Sequence, residues 1–410
     1  MSGPSDLAPL LDEARALLPE VIALRRRLHE NPELGLVLPE TQKAVLEALA
    51  PHGLEVATGG ATSAVVATLR GGRAPAGAGG PTLLLRADMD ALPLTEATGL
   101  PFASRHEGRM HACGHDAHTA MLVGAAALLA RRRDALPGTV KLLFQPGEEG
   151  YAGARVLIEE GLLDAPPAVD AAFAIHVDST LPAGRLALRP GPIFASGDVL
   201  SIDVTGRGGH ASMPHLAADP IPAACEIVGA LQTFVTRRID VFDPVVVTIT
   251  RLQAGTAANV IPAHANLLGT IRSTSERARA AAHEGVRRVA AGVAAAHGVE
   301  AKVHIVPGYP VTVNDARFAA FARAVGAELL GERAVVDMAA PVMGAEDFSY
   351  VLQRVPGALV LLGARPADGP AEPLHSNKMT LDEDALAYGV ALHAAMALRW
   401  LASAQERVAA

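Results

Sequence analysis

The stretch Met110-His111-Ala112-Cys113-Gly114-His115-Asp116-Ala117-His118 decides how the whole chain is interpreted. It places a thiol, three imidazoles and a carboxylate within nine residues. About thirty residues further along, Gly147-Glu148-Glu149-Gly150 follows a strongly apolar run. Thiolates and imidazoles bind divalent cations such as zinc, and a neighbouring carboxylate can take a proton from a metal-bound water. Together the two segments predict a catalytic metal site.

Short apolar runs that read as buried strands accompany these polar segments. Such runs cover residues 63–69, 82–86, 140–144 and 171–176, and an alanine-rich helix is predicted over 117–131. In open α/β sheets, ligands bind at the carboxyl ends of the strands. The pattern therefore predicts an α/β catalytic domain, with a mostly parallel central sheet flanked by helices.

The pattern of strands and helices changes after Leu186. The predicted order is then strand, helix, two strands, helix and strand, at residues 199–205, 219–238, 245–252, 265–271, 274–296 and 301–306. This order is that of a ferredoxin-like α+β sandwich, and the α/β pattern returns after Pro310. We therefore expect a discontinuous catalytic domain, residues 1–187 and 305–410, interrupted by an inserted domain of residues 188–304.

Four local patterns add detail to this outline. Helical periodicity predicts one helix over residues 10–29. The Gly- and Pro-rich segment 71–81 predicts a flexible connection between two strands. Thr380 and Glu383 have the spacing of a capping box at the start of a long final helix. Arg131-Arg132-Arg133 is typical of a last helical turn, where cations offset the helix dipole.

Bulk composition limits the classes of protein to which the chain can belong. Its 410 residues are too many for one ordinary core, so two or three domains are expected. The formal charge of -8 provides no basic surface for nucleic acid or an anionic membrane. Two cysteines, Cys113 and Cys225, cannot form a disulfide framework and fit a reducing compartment. We see no export signal, and the apolar run 120–130, taken as the longest, is too short to span a bilayer, so a cytoplasmic protein is expected.

The spacing of the side chains in the two polar segments suits metal binding. Gly114 lets the chain turn so that Cys113 and His115 aim at one point. A lone Cys-x-His pair is more often a buried cysteine beside a surface histidine, but here further histidines and a Glu pair accompany it. Because adjacent residues point in different directions, one of Glu148 and Glu149 can bind the metal while the other faces its water.

Two more histidines are candidate ligands on weaker grounds. His176 ends a strand that should lie beside the strand leading to Glu149, although a histidine at a strand end is more often structural. His375 lies in a loop far along the chain and means little alone.

These residues belong to a longer series of motifs in one order. The series is Arg86-Ala87-Asp88-Met89-Asp90-Ala91-Leu92-Pro93, the Cys113 cluster, Gly147-Glu148-Glu149-Gly150, Ile175-His176, Gly209-His210-Ala211-Ser212, Gly344-Ala345-Glu346-Asp347-Phe348 and Leu374-His375. It resembles the aminoacylase and carboxypeptidase-G superfamily of metallopeptidases. The match is closest to its amidohydrolase branch of hippurate hydrolases, N-acyl-amino-acid amidohydrolases and indole-acetyl-amino-acid hydrolases. The resemblance extends from Arg25-Arg26-Arg27-Leu28-His29 to the last helix, and it implies a split catalytic domain with an inserted dimerisation domain.

The resemblance implies a site for two divalent metal ions per subunit, of manganese, zinc, cobalt or nickel. The implied ligands are Cys113, His115, Glu149, His176 and His375, and Glu148 matches the general base. The wider superfamily has a ligand in a His-x-Asp motif where this chain has Asp88-Met89-Asp90. Asp88 is therefore not assigned as a ligand, and Asp90 is expected to orient a neighbouring one. Cys113 replaces a bridging carboxylate, and whether it bridges here is open.

The resemblance also assigns residues of the inserted domain. His210 matches a histidine that reaches the active site of a neighbouring subunit and donates to the oxyanion, and a homodimer or homotetramer is expected. Asn259 and Arg272 match residues that hold the substrate carboxylate, a role that suits a bidentate arginine. An ordinary surface charge at a strand end is the alternative for Arg272. Glu346 and Asp347 resemble an acidic pair near the site, with loop capping as their alternative.

The function implied is metal-dependent hydrolysis of N-acyl amino acids to a carboxylic acid and a free amino acid. The acyl group and the amino acid stay open, and a dipeptidase or carboxypeptidase of the same superfamily is an alternative. Two rival classes remain. One is a hydrolase with Cys113 as nucleophile and a nearby histidine as base, and the other is a non-enzymatic protein that binds small ligands.

Overall fold

The computed structural model describes residues 7–74 and 80–409, with side chains up to residue 404. These residues form two compact units. The first unit runs to Gly191 and resumes over Val313–Ala339 and from Tyr350 onward, and the second comprises Pro192–Thr312 and Ala340–Ser349. The flexible connection predicted over residues 71–81 lies in part outside the described residues.

Helices and strands are interspersed along the described part of the chain. The helices are α1 (Leu10–Ala16), α2 (Leu18–Glu30), α3 (Pro39–Leu49), α4 (His115–Ala130), α5 (Gly153–Glu159), α6 (Pro220–Arg238), α7 (Glu276–Ala296), α8 (Ala316–Leu330), α9 (Ser349–Leu352) and α10 (Ala385–Ala409). The strands are β1 (Glu55–Thr58), β2 (Val65–Arg70), β3 (Thr82–Asp88), β4 (Thr139–Gln145), β5 (Ala171–Pro182), β6 (Leu186–Leu188), β7 (Gly191–Phe194), β8 (Ser196–Thr205), β9 (Gly209–His210), β10 (Val245–Ala254), β11 (Val260–Ile261), β12 (His264–Ser273), β13 (Glu300–Pro307), β14 (Thr312–Asn314), β15 (Val335–Asp337) and β16 (Gly357–Arg365).

An eight-stranded sheet forms the centre of the first unit, in the order β1-β2-β4-β3-β5-β16-β6-β15. The parallel pairings are β3 with β4, β3 with β5, β5 with β16 and β6 with β15, while the other three are antiparallel. Every residue of β3 and β4 is buried, as expected for strands whose two faces are both covered. The predicted α/β class with a mostly parallel sheet is confirmed.

Two long apolar helices pack in the core of the first unit. In α4 every residue from His115 to Leu129 is buried. Gly124 allows close packing, since a Cβ atom there would lie 2.9 Å or less from methyl carbons of Val21 and Val390. In α10 the stretch Ala385–Ala404 is long and apolar enough to cross a membrane by length and composition alone, and most of it is buried inside the structure. Unlike the uninterrupted apolar run 120–130, this stretch includes His393 and Arg399.

The second unit contains an antiparallel sheet in the order β10-β12-β8-β13. The order of elements along the chain is β8, α6, β10, β12, α7, β13, which is the ferredoxin-like order predicted from the sequence. Alternate residues of β8, such as Leu200, Ile202 and Val204, are buried against Ile227 and Leu231 of α6. The ferredoxin-like arrangement is thus confirmed, and a role in dimerisation stays a prediction.

Two local predictions are wrong. The helix predicted over residues 10–29 is interrupted at Leu17, because Pro19 has no N–H group with which to continue the hydrogen bonding of α1. The predicted capping box does not form, since α10 begins only at Ala385. The Glu383 carboxylate instead forms ion pairs with the guanidinium groups of Arg25 and Arg26.

Candidate metal centre

The polar segments lie at one edge of the sheet of the first unit. Strands β3, β4 and β5 are parallel neighbours, so their carboxyl ends meet at the same edge. Glu148 and Glu149 follow β4, and His176 lies within β5. Gly114, with a φ of 84°, adopts the left-handed conformation that lets Cys113 precede α4 and His115 begin it.

His375 reaches the same edge from a loop before α10. Its backbone N–H group donates to the carbonyl oxygen of Ala112 over 2.8 Å, which fastens the loop to the segment that carries Cys113. Its φ of 68° lies in the left-handed region, which is uncommon for a residue with a side chain. Such conformations occur preferentially at functional sites, where surrounding contacts maintain them.

The structure brings the five ligands named in the sequence, and Glu148, into three overlapping groups. Within each group the candidate donor atoms lie within 4.8 Å of one another, and the groups are Cys113 with His115 and His176, Cys113 with Glu149 and His375, and His115 with Glu148 and Glu149. The Cys113 sulfur lies 3.5 Å from Nε2 of His176, and Nε2 of His375 lies 3.3 Å from a Glu149 oxygen. Cys113 belongs to two of the groups, so its sulfur is within reach of ligands on both sides.

Two buried polar atoms of these groups fit a bound cation. Nε2 of His115 is buried and has no hydrogen-bond partner among the described residues, and the buried Oε1 of Glu149 has only the 3.3 Å contact with Nε2 of His375. Buried polar atoms are rarely left without a partner unless an ion or water satisfies them. A set of one thiol, three imidazoles and a carboxylate also matches the preferences of zinc and similar divalent ions. The residues present therefore fit a metal ion.

Hydrogen bonds behind the histidines direct their free nitrogen atoms toward the cluster. Nδ1 of His115 donates to the carbonyl oxygen of Asp90 over 2.8 Å, and Nδ1 of His176 donates to the carbonyl oxygen of Val177 over 2.7 Å. Each bond fixes the tautomer with an unprotonated Nε2, which is the form that binds metal.

The Asp90 side chain holds the turn that carries the glutamate pair. One carboxylate oxygen accepts from the backbone N–H of Glu148 over 3.0 Å, and the other accepts from that of Glu149 over 2.9 Å. Asp90 is 1% exposed, so these bonds are shielded from water. The sequence predicts that Asp90 orients a neighbouring ligand, and these two bonds are the contacts through which it would do so.

The third histidine of the opening stretch, His118, has both ring nitrogens occupied by protein groups. Its Nδ1 donates to Asp88 over 2.6 Å, and its Nε2 accepts from the backbone N–H of Val177 over 2.8 Å. Asp88 also accepts from Arg86 over 2.7 Å. Burial acts to raise the pKa of Asp88, but His115, His118 and Arg86 together lower it well below its usual range. His118 and Asp88 thus support the centre from behind.

A buried ionic network adjoins the first turn of α4, and the sequence analysis did not identify it. Asp116 accepts from Arg25 and from His29, over 2.8 Å in each case. His29 also lies 3.2 Å from Glu96, and Arg25 donates to Glu383 over 3.0 Å. Arg25, His29 and Asp116 are at most 1% exposed. The network therefore ties α2 to the residue that follows His115.

The electrostatics of the network keep its groups charged. Burial acts to raise the pKa of Asp116, but Arg25 and His29 lower it well below its usual range. Burial acts to lower the pKa of His29, but Asp116 and Glu96 raise it to about 9. The sequence signals for the network were Asp116 in the opening stretch and Arg25-Arg26-Arg27-Leu28-His29, which also reads as an ordinary basic helical turn.

The environment of Cys113 does not favour its use as a nucleophile. Burial raises the pKa of its thiol, and this effect is the largest of those acting on the group. A nucleophilic cysteine needs the thiolate form, which an electropositive and partly exposed environment stabilises. Cys113 is instead 7% exposed and lies beside Glu149. Its position suits a metal ligand better than a thiol nucleophile.

Among the predicted residues of the second unit, His210 and Asn259 lie together. His210 in β9 pairs with Val260 in β11, and the carbonyl oxygen of Asn259 accepts from the backbone N–H of Ala211 over 3.1 Å. The His210 side chain is exposed, and its Nδ1 lies 2.8 Å from the hydroxyl oxygen of Ser212. Its Nε2 atom has no hydrogen-bond partner among the described residues.

The other predicted residues of the second unit lie elsewhere within it. Arg272 stands near the end of β12, opposite Gly197 and Val246, and the length of β12 separates it from β11. Glu346 accepts from the backbone N–H of Phe348 over 2.9 Å, which is the loop-capping alternative considered for that residue. The structure therefore brings His210 and Asn259 together and leaves Arg272 apart from them.

Comparison with family models gives one match over most of the chain. The model of peptidase family M20/M25/M40 matches residues 84–399. Among curated proteins, an N-acetylcysteine deacetylase of Bacillus subtilis is 41% identical over 373 residues, which cover 91% of this chain and 94% of that protein. The IAA-amino acid hydrolase ILR1-like 2 of Arabidopsis thaliana is 40% identical and covers 96% of this chain and 88% of its own. Thermostable carboxypeptidase 2 of Saccharolobus solfataricus is 41% identical, with coverages of 93% and 95%.

Solved structures show the same similarity. An aminohydrolase from methicillin resistant Staphylococcus aureus superposes with a TM-score of 0.88 at 34% identity, covering 96% of this chain and 99% of that one. The YXEP protein of Bacillus subtilis, described as a dinuclear metal binding peptidase of the M20 family, superposes with a TM-score of 0.82 at 38% identity, with coverages of 95% and 99%. The similarity therefore includes the whole fold and both units.

Proposed function

Since the chain belongs to peptidase family M20/M25/M40 and is a metal-dependent hydrolase, we propose that it cleaves the amide bond of N-acyl amino acids. The products would be a carboxylic acid and a free amino acid. The observation that carries the proposal is the convergence of Cys113, His115, Glu149, His176 and His375 at one sheet edge, with the Glu148 carboxyl beside them. Relatives named N-acetylcysteine deacetylase and IAA-amino acid hydrolase support this choice of substrate.

We propose that these five residues hold two divalent cations per subunit, of manganese, zinc, cobalt or nickel. Cys113 would take part in holding cations on both sides of the site, because its sulfur belongs to two of the donor groups. When bound, the cations would lower the pKa of a water molecule and polarise the substrate carbonyl.

The protein residues would then carry out the proton transfers. Glu148 is 6% exposed and its backbone is fixed by Asp90, so its carboxylate is positioned rather than mobile. It accepts the proton of the attacking water and returns it to the amide nitrogen, which would otherwise be a poor leaving group. In this scheme Nε2 of His210 donates a hydrogen bond to the carbonyl oxygen as negative charge develops there.

We propose further that Asn259 and Arg272 hold the substrate carboxylate, and that the enzyme works as a homodimer or homotetramer. Within one copy of the second unit, Arg272 lies apart from His210 and Asn259. This separation is compatible with a site to which different subunits contribute these residues. The cytoplasmic location inferred from the cysteine content stays a prediction.

A hydrolysis screen tests the proposed substrate class. The metal-reconstituted enzyme is incubated with N-acetyl amino acids, hippurate, indole-acetyl amino acids and unblocked dipeptides, and the release of free amino acid is measured. We expect kcat/KM to be highest for N-acyl amino acids. A clear preference for unblocked dipeptides would replace the proposal with its alternative, a carboxypeptidase or dipeptidase, which the 41% identical Saccharolobus solfataricus carboxypeptidase favours.

Chelation separates the metal mechanism from a cysteine mechanism. We expect activity to disappear on dialysis against a chelator and to return on addition of manganese, cobalt or zinc. Activity that survives chelation but is lost on alkylation of Cys113 would instead identify a thiol hydrolase.

A further inference from the structure

A pocket of about 350 Å³ lies between three helices of the first unit, away from the ligands of the metal centre. Its floor is formed by Val21, Val123, Gly124 and Ala127, all of which are buried. Its walls are formed by Leu17 and Leu24 of the α1–α2 region and by Ala48 and Pro51 at the end of α3. Ligand pockets of this size are usually lined by apolar groups with a few polar ones that fix orientation.

Charged side chains of opposite sign stand at the mouth of this pocket. They are Glu20 from α2 and Arg131 from the end of α4, with His52 beside them. Neither Glu20 nor Arg131 has an ion-pair or side-chain hydrogen-bond partner among the described residues. Burial and the nearby guanidinium of Arg131 lower the pKa of His52.

The other two arginines of the basic triplet are engaged in the protein. Arg132 donates two hydrogen bonds to the Glu13 carboxylate, over 2.8 and 2.6 Å. Arg133 donates to the carbonyl oxygens of His52 and Gly53, over 3.3 and 2.7 Å. Both therefore hold neighbouring segments together, but α4 ends at Ala130, so the triplet follows the helix and does not form its last turn. Arg131 makes no such contact, and its guanidinium is available at the pocket mouth.

We propose that this pocket binds a free α-amino acid with an apolar side chain. The carboxylate pairs with Arg131, the ammonium group pairs with Glu20, and the side chain enters the space above Val21 and Val123. A hydrocarbon ligand would form an ion pair with neither Glu20 nor Arg131, and a simple organic acid would leave Glu20 without a partner. Glu20 and Arg131 are exposed, and an apolar zwitterion would pair with both of them while its side chain covers the apolar floor.

The position of the pocket connects it to the metal centre. Val21 lies one turn before Arg25 on α2, and Val123 lies two turns after Asp116 on α4, on the order of 10 Å along the helix axis. Arg25 and Asp116 are joined over 2.8 Å beside His115. A ligand on the floor of the pocket would contact both of the helices that this bond connects, and so would act on their spacing. Since a free amino acid is a product of the proposed hydrolysis, this regulatory part rests on the proposed function.

Calorimetry on the full-length, metal-loaded protein tests binding directly. The probes are L-leucine, 4-methylpentanoate, which lacks the ammonium group, and L-leucinamide, which lacks the carboxylate. We expect L-leucine to bind best, Arg131→Gln to weaken it about tenfold, and Glu20→Gln to abolish the preference over 4-methylpentanoate. Arg155→Gln, at an exposed arginine of α5 outside the pocket, is the matched control and should leave binding unchanged.

A pocket-filling variant separates this site from product binding at the metal centre. Ala48→Phe should remove the binding of L-leucine to the pocket while the metal content stays normal. In the wild type, L-leucine should lower kcat at saturating substrate, and it should do so much less in Ala48→Phe and in Arg131→Gln.

Three outcomes would overturn the inference. They are the absence of saturable binding, binding that Arg131→Gln and Ala48→Phe leave unchanged, and inhibition that is purely competitive with substrate. Because Arg131 is an exposed residue, its variant keeps the test valid even if Ala48→Phe does not fold. A protein that binds L-leucine as expected but hydrolyses no N-acyl amino acid would refute the proposed function and leave the pocket intact.

Discussion

Glu148 and Glu149 are neighbours in the chain but have different surroundings in the site. Glu149 belongs to a donor group with Cys113 and His375, whereas Glu148 does not share that group. Both backbone N–H groups are held by Asp90, so the turn is fixed, and both carboxylates belong to the donor group with His115. This arrangement allows one carboxylate to bind a cation while the other handles protons.

Substitution of each glutamate by glutamine separates the two roles. We expect Glu148→Gln to keep its metal and to lose activity by about 100- to 10,000-fold, the usual contribution of a general base. We expect Glu149→Gln, the matched control, to lose metal as well, because a neutral amide binds divalent cations weakly. Metal content by atomic absorption and kcat under metal saturation are the measurements. Near-normal turnover of Glu148→Gln with full metal content would refute the assignment.

Asp90→Asn tests the support that the turn receives. An amide has one oxygen acceptor, so its nitrogen would face one of the two N–H donors that the carboxylate now satisfies. We expect metal affinity or activity to fall by about 10- to 100-fold, as for other groups that orient ligands from behind. Asp203→Asn, at an exposed position in β8, is the control and should behave as the wild type. An Asp90→Asn enzyme with unchanged metal affinity and kcat would show that the turn is rigid without it.

The residues that the sequence could identify are those with an unusual type or spacing. Cys113, His115 and the glutamate pair stand out because thiols, imidazoles and adjacent carboxylates rarely cluster without a reason. The Arg25–Asp116 and His29–Asp116 contacts could not be found in this way, because they join residues 91 and 87 positions apart. Asp116 was visible in the opening stretch, but its partners depend on how α2 packs against α4. His111 is buried, and neither of its ring nitrogens has a hydrogen-bond partner among the described residues. Nothing in the structure explains why a histidine occupies this position.

At the scale of secondary-structure elements, Gly114 determines how α4 begins. Its φ of 84° is unfavourable for residues with a side chain, and an added Cβ would lie 2.4 Å from a methyl carbon of Val177. We therefore expect Gly114→Ala to displace Cys113 and His115, with loss of metal binding and a lower melting temperature. Gly229→Ala in α6 is the control, because its Cβ would meet nothing within 4 Å. It should stabilise α6 by about 0.5–1 kcal/mol, and equal behaviour of the two variants would contradict the argument.

The contact of α2 with α4 through His29 predicts a specific pH dependence of stability. Burial lowers the pKa of His29, but Asp116 and Glu96 raise it from 6.5 to about 9 in the folded protein. A raised pKa contributes stability that is complete below about pH 6.5 and is lost as pH rises through 9. Its size would be on the order of 3 kcal/mol, from a shift of two to three pKa units.

Chemical unfolding of the wild type and His29→Gln between pH 6 and pH 10 measures this contribution. The difference in unfolding free energy should be largest at pH 6 and should shrink toward pH 10. The comparison removes the pH dependence of metal binding, since both proteins carry the same ligands. A difference that is constant over this range would mean that His29 is uncharged in the folded state.

Element boundaries were predictable where one strong pattern dominated. The buried strands β3 and β4 are mostly apolar runs and were placed within two residues of their observed bounds. The break between α1 and α2 was missed because the apolar periodicity continues through Leu17, although Pro19 marks it. The capping box was a false prediction because Glu383 has stronger partners in Arg25 and Arg26, which lie far away in the sequence.

At the scale of the whole molecule, the order of strands could not be obtained from the sequence. The pattern predicts that strands and helices alternate, but not that β16 lies between β5 and β6. That position depends on packing between segments that are separated by the whole second unit. The return of Ala340–Ser349 to the second unit was likewise invisible, because its composition does not differ from that of the flanking loops.

The proposed role of His210 makes activity a property of the assembly, and mixing two inactive variants tests it. His210→Ala should lose catalytic activity with unchanged metal content, and Glu148→Gln should be inactive for a different reason. If His210 acts in the site of a neighbouring subunit, a mixed dimer contains one site with both residues intact. Random exchange gives mixed dimers in half of the population with one complete site of two, so about a quarter of wild-type activity should return. Subunit exchange is verified independently with differently tagged chains. Proven exchange without any recovery of activity would place His210 in the site of its own subunit or outside catalysis altogether.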